Sequence, residues 1–284
     1  MLSAPSSNVV WVLVDNHVLY RSTNRGTTWE QRPIPPGNFP RPDISFIDDQ
    51  QGWLATGGVP ETQCNGAGTT VWHTSDGGKT WEQVVSVVPG ASGYRQCKEG
   101  LSFVDPMHGF LGAADPNSRP TIYSTSDGGL TWAATTLDDP PGYVTLGAGD
   151  TLTPGLVKAF GTTLLMPAWG MQPSAQTEIE YIFRSLDRGA TWTYLATTGP
   201  GIDSVTLVTE SRWLKISNDG SALETTDAGK TWHSYRSDYQ DAAGVASAFV
   251  FGDPLVGYGT VRGGIRRTID GGAHWVSITT PGVN

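Results

Sequence analysis

Charge is scarce in this chain. Asp, Glu, Lys and Arg make up 16% of its 284 residues, and the basic ones are the rarer, 18 against 27 acidic. The formal charge of −9 opposes the counterion release that drives binding to nucleic acid, and it disfavours an anionic membrane surface equally. No apolar run approaches the roughly 18 residues of a membrane span, so membrane insertion is not expected. Met1-Leu2-Ser3-Ala4-Pro5-Ser6-Ser7 has neither the basic nor the apolar region of a signal peptide. No stretch carries a helical period. There are only five histidines, and zinc catalysis needs convergent ligands at short spacing. His17, His73, His108, His233 and His274 are scattered among turns and strand aromatics. A G-x-S-x-G elbow and a P-loop are both missing, so serine hydrolysis of that type and nucleotide chemistry have no local support. What is plentiful is glycine (36), proline (19) and tryptophan (11), the composition of a turn-rich β protein.

Six segments share one pattern when aligned on their last tryptophan: STNRGTTW ending at Trp29, TSDGGKTW at Trp81, TSDGGLTW at Trp132, SLDRGATW at Trp192, TTDAGKTW at Trp232 and TIDGGAHW at Trp275. The third position is Asn24, Asp76, Asp127, Asp187, Asp227 or Asp270, the fifth is always glycine, and the seventh is threonine except for His274. An Asp or Asn side chain accepts hydrogen bonds from backbone N–H groups in its own turn, and glycine supplies a positive φ. The tryptophan buries a large face between layers. These six residues are therefore expected to be structural. A calcium loop would need several oxygen ligands where each box offers one carboxylate or amide, so no metal and no cofactor is expected. Short β-rich runs flank every box, as in 44–48, 53–56, 70–74 and 81–85. Four strands per unit and six units predict an all-β, six-bladed propeller of four-stranded antiparallel blades. The expected blades are residues 1–31, 43–88, 100–137, 155–198, 203–236 and 244–280 of one domain. Aligning Leu2 with Ile44 and Trp11 with Trp53 gives the first blade a short innermost strand.

The pattern resembles the Asp-box, or BNR, repeat. The Gly52-Trp53 pair, echoed by Gly109-Phe110 and Gly257-Tyr258, is most similar to bacterial propellers related to photosystem II stability and assembly factors. The same box occurs in sialidases, sortilin-type receptors and xyloglucan-hydrolysing enzymes, so the resemblance implies architecture rather than activity. A sialidase would need an arginine triad, a tyrosine nucleophile paired with glutamate, an aspartate acid/base and an early F/Y-R-I-P motif. Gln31-Arg32-Pro33-Ile34-Pro35 does not match that motif, and no spacing singles out Arg41, Arg95, Tyr239 or Asp203.

In such a blade the loops between strands two and three, and the connections between blades, emerge opposite the box. These are long in blades 2, 3 and 4: residues 57–68, 115–120 and 167–178, with connections 32–43, 89–100 and 137–154. They are short in blades 1, 5 and 6. Long loops on a rigid scaffold are where function sits. Cys64 and Cys97 both fall in this elaborated sector, which predicts a disulfide and an exported protein. Trp169 is the one tryptophan with no role in the repeat. It is expected either to stack on a partner or to cap its own loop. The expected binding group is Trp169, Gln172, Tyr94, Arg95, Arg41, Arg119, Tyr143 and Glu178. A basic patch from Arg32, Arg41, Arg95, Lys98 and Arg119 would suit a protein partner. A glycosidase would need two carboxyls among Glu61, Glu99, Asp138, Asp139, Asp150 and Glu178. The reading reached is a monomeric, exported binding or scaffold propeller for a protein or carbohydrate, with a carbohydrate-active enzyme as the alternative and no catalytic residue assigned.

Overall fold

The computed structural model describes all residues except 38, 40–41, 57–68, 86–96, 115–119, 144–151, 173–176, 201–203, 218, 241–247, 262–263 and 283–284. The chain is a six-bladed β-propeller built from antiparallel sheets, with no helix among the described residues. Two compact units account for it. One comprises Met1–Ile34, Asp48–Gln50 and Ile202–Asn284 and holds blades 1, 5 and 6; the other comprises Pro35–Ile47 and Gln51–Gly201 and holds blades 2 to 4.

In blade 2 the strands are β5 (Pro42–Phe46), β6 (Gly52–Thr56), β7 (Val71–Thr74) and β8 (Glu82–Val85), paired in that order. The register shows why glycine precedes the aromatic in the second strand. Gly52 faces Phe46, Gly109 faces Phe103 and Gly257 faces Phe251. A Cβ at these glycines would come within 2.1, 2.6 and 2.7 Å of the opposing ring, so each phenylalanine lies across a residue that has no side chain. The aromatic that follows then stacks between blades. Trp53 lies flat on Phe103 at 3.7 Å, and Phe110 meets Trp192 edge-on at 5.9 Å. Blade 1 has the short innermost strand the alignment predicts, β1 (Leu2–Ser3), paired with β2 (Val10–Val14). Beside it Gly252 of blade 6 sits against the backbone of Ser6, where a Cβ would clash at 2.2 Å.

Each box is a closed hydrogen-bonded turn. In blade 3 the Asp127 carboxylate accepts from Thr131 N–H (2.9 Å), the Thr131 hydroxyl (2.5 Å) and the Thr125 hydroxyl (2.7 Å), while Thr125 Oγ1 accepts from Gly129 N–H. Asp76, Asp187 and Asp227 repeat these contacts. In blade 6 His274 Nδ1 takes the place of the missing threonine hydroxyl, 2.5 Å from Asp270 Oδ2. In blade 1 the polarity of that last bond inverts: Asn24 Nδ2 donates to Thr28 Oγ1 at 2.8 Å.

Blade 4 departs from the expectation. Residues 167–178 read as a long loop, yet β15 (Thr163–Gln172) and β16 (Thr177–Ser185) run through most of them as a paired hairpin. The edge strand β17 (Thr193–Pro200) lengthens with them. Alternation explains the correction. Met166, Ala168 and Tyr181 enter the apolar core beside Phe110 and Ile122 of blade 3, and that burial stabilises strand where Pro167 and Gly170 suggested a turn. The innermost strand of this blade is broken into β13 (Thr153–Pro154) and β14 (Lys158–Phe160), both paired with β15.

Candidate functional site

Within the unit holding blades 2 to 4, polar side chains tie the innermost strands together along their length, from the end where β6 leads into 57–68 to the end beside the boxes. Asp43 on β5 accepts from the N–H groups of Gly100 (2.7 Å) and Leu101 (3.3 Å) on β9 (Cys97–Phe103). Ser45 Oγ accepts from Phe103 N–H at 2.8 Å. One blade further on, Ser102 Oγ accepts from Val157 N–H at 2.9 Å. Burial pushes the Asp43 carboxyl above the ordinary carboxylate range, against the two N–H donors that favour its charged form. Of these contacts, those of Asp43 fix the floor of the site.

Two glycines carry that floor toward blade 4. Gly100, at φ +76°, lies against the backbone of Gly155, where a Cβ would stand 3.0 Å from the Gly155 carbonyl carbon. On Gly155 rests the indole of Trp169, and a Cβ there would come within 2.5 Å of the ring. Trp169 is partly buried and pairs across the sheet with Thr153 on one side and Glu180 on the other. Glu180 is buried and accepts from the Thr198 hydroxyl. The indole nitrogens of Trp11, Trp29, Trp53, Trp132, Trp213 and Trp275 each donate to a backbone carbonyl at 2.8 to 3.2 Å. Trp169 Nε1 has no acceptor among the described residues and is not sealed from solvent.

Lys98 lies two residues before Gly100 on β9, in register with Ala113. Only 6% of the residue is exposed, and its ammonium sits 5.4 Å from the centre of the Tyr123 ring. Burial holds its pKa below the ordinary lysine value. Grouping it with surface arginines as a basic patch gave no sign of this burial, since charge alone does not show which face of a strand a lysine occupies.

The other expected site residues distribute as follows. Tyr143 is 3% exposed, meets Tyr181 edge-on at 5.9 Å and belongs to the core of blade 4. Tyr239, weighed as a sialidase-type candidate, is likewise core, packed on Phe249 and Trp275. Gln172 and Glu178 lie on the paired ends of β15 and β16, with backbone placement only. Arg41, Tyr94, Arg95, Arg119, Cys64, Glu61, Asp150 and Asp203 lie outside the described residues, and Cys97 is placed only as the first residue of β9. Arg32, in the other unit, pairs with Glu30. Among the described residues no three His, Cys, Asp or Glu side chains converge as metal ligands, and no helix is long and apolar enough to cross a membrane.

The class these features define is a six-bladed propeller with a boxed turn on every blade and, in blade 4, a long paired hairpin. No family model matches the sequence. A xyloglucanase from Paenibacillus sp is 29% identical over 152 residues, covering 46% of this chain and 14% of that protein, so the match spans only a small part of the relative. Among solved structures the Hadza microbial sialidase Hz136 superimposes with a TM-score of 0.63 at 13% identity, over 96% of this chain and 66% of that one. YCF48 from Cyanidioschyzon merolae gives 0.52 at 17% identity, over 95% and 80%. These likenesses are likenesses of fold.

Proposed function

We propose that this chain is an exported binding propeller that engages a protein or carbohydrate partner through the built-up end of blades 2 to 4, with Trp169 as its aromatic anchor. The observation that carries the reading is the state of Trp169. It is the only tryptophan outside the repeat, it rests on a glycine beside the extended hairpin of blade 4, and its N–H has no acceptor among the described residues. An aromatic face with a free donor suits a sugar ring or a peptide group. A glycoside hydrolase working at the same end is the second reading, favoured by the xyloglucanase match.

Substituting Trp169→Ala tests the site. Part of the ring is already exposed, so stability falls by no more than about 1.5 kcal/mol, while affinity for a xyloglucan oligosaccharide or a captured protein partner weakens by about 1 to 3 kcal/mol. A destabilised variant with undiminished binding would overturn the placement. Release of reducing ends from xyloglucan by the wild type would move the reading to the hydrolase. Export rests on a Cys64 to Cys97 bond: alkylation of the unreduced, denatured protein should label neither thiol, and labelling of both removes that support.

A further inference from the structure

Lys98 pairs with Ala113 on β10 (Gly109–Ala114), and Ala113 pairs in turn with Thr121 on β11 (Thr121–Thr125), so the three form one row across blade 3. The row lies on the face that blade 2 covers: Ala55 and Val71 of blade 2 share one buried cluster with Leu111, Ala113 and Tyr123 of blade 3. Neighbouring strands are about 4.8 Å apart and Ala113 carries only a methyl group, so the Lys98 side chain passes over it and brings the ammonium to the Tyr123 ring on the third strand. Beyond that ring, among the described residues no acid or carbonyl accepts from the ammonium. Asp43, on the innermost strand of blade 2, gives its carboxylate to the N–H groups of Gly100 and Leu101 instead. Burial alone lowers the Lys98 pKa, with no carboxylate pulling it back up. A ring face compensates a desolvated ammonium only in part, and a sequence bears the remaining cost where the charge has something to bind.

We propose that the crevice between blades 2 and 3 binds one small monovalent anion from solution, a halide or a carboxylate the size of formate, as the counter-ion of the Lys98 ammonium. The lysine sets the charge, since one ammonium in low dielectric neutralises one negative charge. The surroundings set the size: Ala55, Val71, Ala113, Thr121 and Tyr123 are all buried, and such close packing admits an ion of a few atoms rather than a sugar or a peptide. Thr121 ends the row and supplies a hydroxyl that can donate to the same ion. Lys98 is the second residue of β9 and keeps 6% of its surface exposed, so that end of the strand is where the ion enters. The bound anion stabilises the native chain in step with its occupancy and makes the packing of blades 2 and 3 depend on it. It also favours the charged lysine, so it raises the Lys98 pKa and is released as the pH climbs. The inference is independent of Trp169, which lies on the face of blade 4 turned away from blade 3.

The test exchanges sodium gluconate, whose anion is too large for the crevice, for sodium chloride at constant ionic strength, so that screening does not change. Melting temperature and the chloride NMR line width are read on the whole chain and on the variants Lys98→Met and Lys98→Gln. Chloride should raise the wild-type melting temperature by about 2 °C or more, and should broaden the chloride line. A surface of formal charge −9 gathers few anions, so little background is expected. Lys98→Met should lose both responses, and in gluconate it should melt at or above the wild type because a desolvated charge is gone. Formate should displace chloride and narrow the wild-type line, gluconate should not, and the broadening should fade at alkaline pH as Lys98 gives up its proton. A wild type indifferent to chloride, or a response that survives in Lys98→Met, overturns the inference. Displacement by gluconate as readily as by formate marks an open surface site and overturns it too. If neither Lys98 variant folds, the wild type decides alone: broadening that fades at alkaline pH in the folded chain supports the site, and broadening unchanged there removes it.

Discussion

Tyr258 follows glycine in the second strand of blade 6, where blades 1 and 2 have tryptophan, and its ring is 0% exposed in a core of Val10, Val256 and Ile265. Its hydroxyl has no hydrogen-bond partner, and burial, offset in part by Arg267 and Arg25, pushes its pKa up to about 12. An unsatisfied buried hydroxyl costs about 1 to 3 kcal/mol, so Tyr258→Phe should stabilise the protein, by about 1 kcal/mol after allowance for packing adjustment. Denaturant unfolding checks this, and a loss of stability would show that a buried water bonds the oxygen. The sequence placed Tyr258 correctly in the second strand but could not show an orphaned hydroxyl, because the polar half of a tyrosine is silent in a hydrophobic pattern. Trp169 stood out in the sequence for the opposite reason, since eleven tryptophans set against a six-fold repeat leave one with no repeat role, but its place within β15 rather than in a loop did not show. The burial of Tyr143 did not show either, since a tyrosine in a long connection looks the same whether it turns out to solvent or folds back onto Tyr181.

At the scale of the turn, the box contains a strain that composition hid. Glycine is invariant at the fifth position for two reasons at once. Gly189 has φ +87° and a Cβ there would meet the Phe110 ring at 2.2 Å, just as one at Gly26 would meet Ile278 at 2.4 Å. The fourth position also has positive φ throughout, yet blades 1, 4 and 5 place Arg25 (φ 62°), Arg188 (φ 59°) and Ala228 (φ 58°) there. Blades 2, 3 and 6 use Gly77, Gly128 and Gly271. A left-handed alanine costs about 1 kcal/mol, so Ala228→Gly should raise stability by up to that amount, reduced by the greater freedom of glycine in the unfolded chain. Gly189→Ala should lower it by 2 kcal/mol or more, at about the cost of overpacking plus strain. Thermal melts of the two single variants should move in opposite directions. A fall in Ala228→Gly would mean that the Ala228 methyl makes contacts worth more than the strain. The glycine pattern announced the turn, and the tolerated exceptions at the fourth position concealed its second left-handed residue.

Across the whole molecule the boxes set how stability responds to acid. Hydrogen bonds from the Thr191 hydroxyl and N–H hold the Asp187 pKa down to about 2, and those from Thr231 do the same for Asp227. The Thr80 hydroxyl and N–H lower Asp76 further. In Asp127 and Asp270 partial burial works the other way but is outweighed by the turn's donors, so both are also lowered. A carboxyl with a depressed folded pKa binds fewer protons in the native state than in the unfolded one. Its contribution is therefore complete above the unfolded value near 4 and is lost as pH falls toward 2. His274 has the opposite sign: Asp270 raises its pKa, so that stability is present below about 6.5 and fades as pH rises through the folded value. Stability should therefore form a plateau between about pH 4.5 and 6.5, with a steep acid limb carried by five turns together. Blade 1 shows how to remove one contribution without removing its turn, because Asn24 keeps the Thr28 N–H bond and reverses the hydroxyl bond. In Asp187→Asn the same reversal is open to Thr191. The double variant Asp187→Asn/Asp227→Asn should keep its melting temperature at pH 7 nearly unchanged while its acid limb flattens between pH 4 and 2, and Asp187→Ala should lose stability already at pH 7. Melting curves across that range decide it: an acid limb as steep in the asparagine variant as in the wild type would mean that other carboxyls, not the boxes, govern acid unfolding.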